Sequence, residues 1–393
     1  MDQNKRKIIL TTIACLGLYL LTTGISYAVF SYMNVGSSSP TTVLPPTPEG
    51  SKFRVDMTKP KTQECPLNGA YFTQEEKDIY AKRRPLGVMI ENHLDSRPQS
   101  GLSRADIVYE AVAEGGITRF LAVYYCGASA LDVQVGPVRS ARTYFVDFIS
   151  EYADFPLYAH VGGANTPGKA NALGQIGDYG WLKKGNDLNQ FAIGFPTFWR
   201  DTERLGRPVA TEHTMYSTTD KLYAVAEKRS LTNADSTGLA WDKTFKKWQF
   251  KDDVSENDRG TISPSFPFWS GYNDYSVTWE YDKTANLYKR KNGNVYSQDR
   301  NDDSNLFAKV VIVAFMSESR ANDGYENNLH LIYGDKGSGK AVIFQDGQAI
   351  EGKWNKKDRV GRMIFMDSKG KEVKLNRGQI WIEIVPAGNQ INY

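Results

Sequence analysis

The sequence predicts an α+β protein, with one transmembrane helix followed by a mixed α/β domain and then a small mostly-β domain. Three observations carry this. An apolar run, Ile8–Met33, follows the basic tip Lys5-Arg6-Lys7. From Cys65 to about Asn233, short apolar runs of strand length alternate with segments of helical spacing. From Tyr275 onward the strand-like runs are separated by turn dipeptides, with no helical pattern between them.

The apolar run is about 26 residues long and spans roughly 39 Å as a helix, enough to cross a hydrocarbon core of about 30 Å with some tilt. The three basic residues stand directly before it, and no Lys or Arg follows until Lys52. The positive-inside bias therefore predicts a cytoplasmic N-terminus and an extracytoplasmic body on a single-pass anchor. Two other fates of this segment keep the body outside: cleavage as a signal peptide near Ser26-Tyr27-Ala28, or lipidation at Cys15. Against lipidation, the apolar run continues past Cys15 through Leu16, Leu18, Leu20 and Leu21.

The chain divides into five stretches by composition: residues 1–36 form the cytoplasmic tip and anchor, and 37–64 a Pro/Ser/Thr-rich stalk. Residues 65–250 form the mixed α/β domain, 251–268 an acidic and proline-containing linker, and 269–393 the β-rich domain. In the first domain Leu86–Ile90, Ile107–Val112 and Ile117–Tyr125 read as core strands. Glu114-Gly115-Gly116 joins the last two as a hairpin. Leu157–Val161 reads as a further strand, and Val138–Tyr152 and Thr219–Arg229 as helices. In the second domain the predicted strands are Tyr275–Tyr281, Leu287–Lys289, Val310–Phe315, Leu329–Tyr333, Ala341–Phe344, Gln348–Trp354, Met363–Met366 and Ile380–Val385. Asn292-Gly293, Asp346-Gly347 and Lys369-Gly370 supply hairpin turns.

A net charge of +3 spread over 393 residues gives no basis for a nucleic-acid partner. Of the three cysteines, Cys15 lies in the apolar run, which leaves Cys65 and Cys126 as the pair in the outer part. An oxidising compartment favours a disulfide between them.

Gly334-Asp335-Lys336-Gly337-Ser338-Gly339-Lys340 has the look of a phosphate-binding loop, but Ala341 stands where a Ser or Thr is needed and a strand follows in place of a helix. It reads as a glycine-rich hairpin loop. In Gly136-Pro137-Val138-Arg139-Ser140-Ala141-Arg142 the helix is expected to begin near Val138, placing Arg139 and Arg142 on one face of its first turn. The helix dipole disfavours cations there, so an anion or internal carboxylate such as Glu110, Glu114 or Asp147 is expected to offset them.

Three of the four histidines, His93, His160 and His213, sit at strand ends or turns in the first domain. No H-x-H or HExxH spacing occurs, so neither a metal nor a cofactor is expected. Glu110 and Glu114 fall on alternate positions of one strand, about 13 Å apart, too far to act together as a glycosidase pair. Either one could still act as a single acid, with His160 or His213 as base. Trp181, Phe191, Phe195, Phe198 and Trp199 alternate with Asn186, Asp187, Asn189 and Gln190, a mixture suited either to a core or to stacking on sugar rings.

The run Arg84–His93, the segment Arg97–Leu102, Ala105–Glu110, Glu114–Phe120 and Gly136–Arg142 together resemble the YerB-like bacterial lipoprotein family. Asp346-Gly347, Gly352-Lys353-Trp354 and Leu375–Ile382 resemble its second part. The likeness covers about residues 65–393 and implies a membrane-attached extracytoplasmic protein in two parts; it supplies no reaction. This chain departs from the usual member in lacking a clear lipid-attachment cysteine.

The leading functional expectation is an envelope protein that binds an anionic or glycan ligand, peptidoglycan or an anionic wall polymer. The expected pocket is lined by Arg119, Arg139, Arg142, His160, Asn189 and His213, with His93 and Arg200 as further ligand-binding residues. The alternatives are a wall-glycan-cleaving enzyme and a scaffold that docks another envelope protein.

Overall fold

The computed structural model describes residues 53–152 and 155–393, together with Lys7. The expected anchor Ile8–Met33 and most of the stalk lie outside the described residues. Among the described residues no helix is long and apolar enough to cross a membrane.

Twelve strands carry the fold: β1 (Leu86–Glu91), β2 (Ile107–Glu114), β3 (Ile117–Tyr124), β4 (Leu157–His160), β5 (Asp187–Asn189), β6 (Val277–Asp282), β7 (Leu287–Asn292), β8 (Val310–Met316), β9 (Gly337–Gln345), β10 (Gln348–Lys356), β11 (Ile364–Asp367) and β12 (Ile380–Pro386). Ten of them form one sheet in the order β11-β10-β9-β8-β12-β2-β3-β1-β4-β5, while β6 and β7 belong to a separate sheet of five strands. Within the large sheet β12 runs parallel to both β8 and β2, with Ile382 beside Ile312 on one side and Tyr109 on the other. Strands so enclosed are covered on both faces, and β8 and β12 are buried at every position. Their almost wholly apolar spelling, Val-Val-Ile-Val-Ala-Phe and Ile-Trp-Ile-Glu-Ile-Val with Glu383 as the one polar residue, follows from that position.

The two segments expected as separate domains are therefore joined through one sheet, and a single apolar cluster runs from Cys65 to Val385. The stretch 53–64, expected as the end of the stalk, lies on the body: the Arg54 N–H donates to the Ala130 carbonyl at 2.9 Å, and Gln63–Glu64 pairs with Tyr71–Phe72. The expected turns Asn292-Gly293 and Asp346-Gly347 close hairpins β7 to Val295–Tyr296 and β9 to β10. Asp346 and Gly347 both adopt positive φ, 54° and 65°, as the tight two-residue turn requires. Gly337 begins β9, so the phosphate-loop look-alike leads into a strand as its spelling indicates.

The helix expected over Val138–Tyr152 is shorter. It runs Thr143–Ile149, followed by a 3-10 turn at Ser150–Tyr152. Residues 138–142 are instead held by neighbouring strands: the Val138 N–H donates to Met215 O at 2.7 Å, Arg139 N–H to Met89 O at 3.0 Å and Ala141 N–H to Gly162 O at 2.9 Å. Tertiary backbone bonds override the weak helical spacing here. Arg142 has extended angles (φ −135°, ψ 150°) at the residue before the helix. Neither arginine stands in a first helical turn, and the dipole argument for them falls away. The second expected helix, Thr219–Lys228, is present, with Thr218 capping it through a bond from the Lys221 N–H.

Cys65 and Cys126 form a disulfide with Cα atoms 6.1 Å apart. It ties the start of the folded region to the residues just beyond β3. The buried Asp106 carboxylate accepts from the backbone N–H groups of Tyr125 (2.7 Å), Cys126 (2.9 Å) and Gly127 (3.0 Å), fixing the same corner independently.

Candidate functional site

The hairpin β2–β3 and the end of β1 bring charged groups together at one end of the sheet. Glu91 closes β1 directly opposite Arg119 of β3. Arg119 donates to Ser140 O at 2.9 Å and to Glu114 Oε2 at 3.2 Å. Arg142 pairs with the other oxygen of Glu114 and donates to Ala141 O at 2.6 Å. Arg139 places Nε 3.1 Å from Glu91 Oε1. The second Glu91 oxygen lies 2.8 Å from His213 Nδ1, and His93 stacks on His213 with ring centres 4.7 Å apart. Burial lowers the pKa of all three guanidinium groups, most directly countered at Arg139 by the charge of Glu91.

The three arginines differ in what is left over. Arg119 and Arg142 are almost wholly enclosed. Arg139 keeps 27% of its side chain exposed; its Nε forms an ion pair with Glu91 without hydrogen-bond geometry, and among the described residues its terminal nitrogens make no hydrogen bond. The loop 322–328 comes close enough that the charges of Arg142 and Arg139 act on Tyr325. In that loop Asn322, Glu326, Asn327 and Asn328 all have positive φ between 39° and 64°. Left-handed backbone at consecutive non-glycine residues is strained, and such strain concentrates at ligand clamps. Tyr325 in turn stacks on His330 at 4.2 Å, and His330 Nδ1 is 2.7 Å from Asp323. Glu212 stands exposed at the rim, its pKa lowered chiefly by its own backbone N–H.

The other expected residues play different parts. His160 is fully buried, with Nε2 2.6 Å from Asp187 Oδ1 and Nδ1 2.6 Å from Gly162 O, so both ring nitrogens are engaged. The Asn189 side-chain oxygen accepts from the N–H groups of Gly162 and Phe191, each at 3.2 Å. Arg200 grips Thr211 O and lies 3.3 Å from Thr214 Oγ1, thereby holding the turn that carries Glu212 and His213.

Glu110 and Glu114 do not share a face. Arg119 stands opposite Ala111 and so faces away from Glu110, and the register shift between Val112 and Glu114 turns Glu114 to the Arg119 side. Glu110 is sealed on the other face, 2.5 Å from Arg290 and 2.6 Å from Thr118 Oγ1. Of the aromatic group, Trp181 and Phe198 are core residues, whereas Phe191 and Phe195 are 77% and 83% exposed. Phe191 lies over Gly162.

Sequence reasoning passed over Glu91, Asp95 and Tyr325. The first two stand in the stretch Glu91–Asp95 around His93, and the H-x-D spacing was the signal available. Tyr325 reaches the cluster from more than a hundred residues away, in a loop with no pattern of its own.

A polar pocket of about 460 Å³ lies between helix Thr143–Ile149 and the loop before β9. Lys336 Nζ sits 2.5 Å from Asp147 and 3.0 Å from Asp335 there. Burial, and then the Asp147 charge, raise the Asp335 pKa to about 7. A carboxyl whose folded pKa is raised binds its proton more tightly in the native state. Its contribution is therefore complete below about pH 4 and lost as pH rises through about 7. Urea unfolding at about pH 5 and about pH 8 should show a fall in stability that Asp335→Asn largely removes. An unchanged fall in the variant would assign it to other groups.

Residues 72–232 match the N-terminal domain, and residues 266–382 the C-terminal domain, of the family described as "Protein of unknown function (DUF3048)". The chain belongs to this family. It is 30% identical over 329 residues to "Putative lipoprotein YerB" of Bacillus subtilis (strain 168), a match that covers 83% of this chain and 87% of the relative. The crystal structure of the YerB protein from Bacillus subtilis matches with a TM-score of 0.65 at 27% identity, covering 84% of this chain and all of that one. The family resemblance carried by the Arg84–His93 and Gly136–Arg142 motifs is thus shown across both parts.

Proposed function

We propose that the chain is anchored in the cell membrane by Ile8–Met33, with its N-terminus cytoplasmic, and presents an extracytoplasmic body that binds an anionic or glycan component of the cell envelope. The observation that carries the binding reading is Arg139: a guanidinium ion-paired at Nε with Glu91, its side chain 27% exposed, its terminal nitrogens making no hydrogen bond among the described residues, and close enough to the strained Tyr325 loop for their charges to interact. Two further buried arginines back it, and among the described residues Glu91 and Glu114 are the carboxylates that pair with the three. A guanidinium fixed at one end and open at the other is suited to phosphate or carboxylate oxygens. The exposed Phe191 beside Gly162 offers a face for a sugar ring. A lipoprotein description on the Bacillus relative supports membrane attachment outside the cytoplasm. The glycan-cleaving alternative is weakened by Glu110, which has no exposed surface, and by Glu114, which is held by two arginines.

The full chain in detergent should bind muramidase-released peptidoglycan fragments or a poly(glycerol phosphate) chain, and the two probes separate glycan from phosphate recognition. Arg139→Ala is expected to weaken binding by about 10- to 100-fold, the value of one or two charge-assisted hydrogen bonds. Equal binding by the wild type and the variant would remove Arg139 from contention. For the topology, protease added to intact wall-less cells should digest the body. A body left intact there, yet digested after lysis, would place it on the cytoplasmic side.

A further inference from the structure

We propose that His93, Asp95 and His213 form a binding site for a divalent first-row transition metal of the zinc type. This does not depend on the envelope-ligand reading. One donor atom from each of the three residues lies within 4.8 Å of the others. His213 is the buried member, its side chain 7% exposed, and the 2.8 Å contact from Nδ1 to Glu91 directs the Nδ1 proton to that carboxylate. Nε2 is thereby left with its lone pair available. A carboxylate behind a ligating imidazole is the usual outer-shell partner, fixing tautomer and ring orientation and raising the basicity of the nitrogen. Glu91 is itself held by Arg139 at 3.1 Å, so the orienting group is anchored in turn.

His93 stacks on His213 with the ring planes 15° apart, which brings the edges of the two imidazoles to a common side. Its Nδ1 is 3.7 Å from Asp95 Oδ2 and accepts the Asp95 N–H at 3.1 Å. Coordination through that nitrogen exchanges one amide bond for the cation. Arg207, itself 43% exposed, lies 3.5 Å from Asp95 Oδ1 and leaves Oδ2 on the histidine side. Exposure rises from His213 through His93, at 32%, to Asp95, at 57%, giving an entry path and an open coordination position toward solvent. Two imidazoles and one carboxylate suit zinc, cobalt or nickel and not calcium or magnesium, which take oxygen donors.

The untagged full chain in detergent, stripped with chelator and dialysed against zinc, should retain one equivalent, and cobalt in its place should give visible d–d absorption. His93→Gln and Asp95→Asn alter partly exposed side chains. Each should weaken retention at least about tenfold while leaving the tryptophan fluorescence of the fold unchanged. Glu91→Gln should weaken it about 10- to 100-fold through the orientation of His213. A wild-type chain that retains no stoichiometric metal overturns the proposal, as does retention undiminished in His93→Gln.

Discussion

Replacing Arg290 by Met is expected to destabilise the protein by about 3 to 5 kcal/mol, the loss that follows when one partner of a buried ion pair is removed. Arg290 lies 2.5 Å from Glu110, and the two side chains are 1% and 0% exposed. Its guanidinium is also ringed by Trp381 at 5.1 Å, Phe120 at 5.3 Å and Trp279 at 6.0 Å. Glu383 stands beside Glu110 in the parallel pairing of β12 with β2 and accepts from Trp279 Nε1 at 3.0 Å. Burial, followed by the Glu110 charge, pushes the Glu383 pKa well above the usual carboxylate range, so Glu383 carries a proton and the cluster is neutral overall. Arg290→Met therefore strands the Glu110 charge where no water reaches it. The double variant Arg290→Met/Glu110→Gln removes both charges and should lose clearly less than the sum of the two single losses in urea unfolding. Strict additivity would show that the pair is not coupled.

Cys126→Ser is expected to lower stability by about 2 to 5 kcal/mol, with about 4 kcal/mol given by the chain-entropy model for a loop of this length. The cysteines are 61 positions apart, so the bridge restricts a large part of the unfolded chain. Because Asp106 already grips the backbone at Tyr125, Cys126 and Gly127, the native corner should persist without the bridge. The loss then arises mainly in the unfolded state. Denaturing the unreduced protein in the presence of an alkylating reagent should leave both positions unmodified until reductant is added. Alkylation before reduction would contradict the bridge.

The strands were legible because burial writes itself into spelling. Val310–Met316 is apolar on both faces and Ile380–Pro386 is so except at Glu383, and the paired β9 and β10 are punctuated by Asp346-Gly347. What the spelling does not carry is which strands meet. The parallel neighbours β2 and β12 are separated by more than 260 residues, and their pairing turns two expected domains into one sheet. The segment 138–142 was misread as helix for the same reason: its backbone bonds go to Met89, Met215 and Gly162, none of them local. At the site, Arg139, His93 and His213 stood out as polar residues beside strand ends, but what each does depends on partners brought in by the fold. Glu91 links Arg139 to His213, and Glu114 draws in Arg119 and Arg142. His160 was equally conspicuous in the sequence and is enclosed between Asp187 and Gly162.

The central claim is that the open end of Arg139 is where an envelope ligand binds. A crystal structure of the protein with the tightest-binding peptidoglycan or poly(glycerol phosphate) fragment tests it most directly. Density for a phosphate, carboxylate or sugar hydroxyl is expected within hydrogen-bonding distance of the Arg139 terminal nitrogens. A fragment bound elsewhere on the body, with nothing against Arg139, would contradict it.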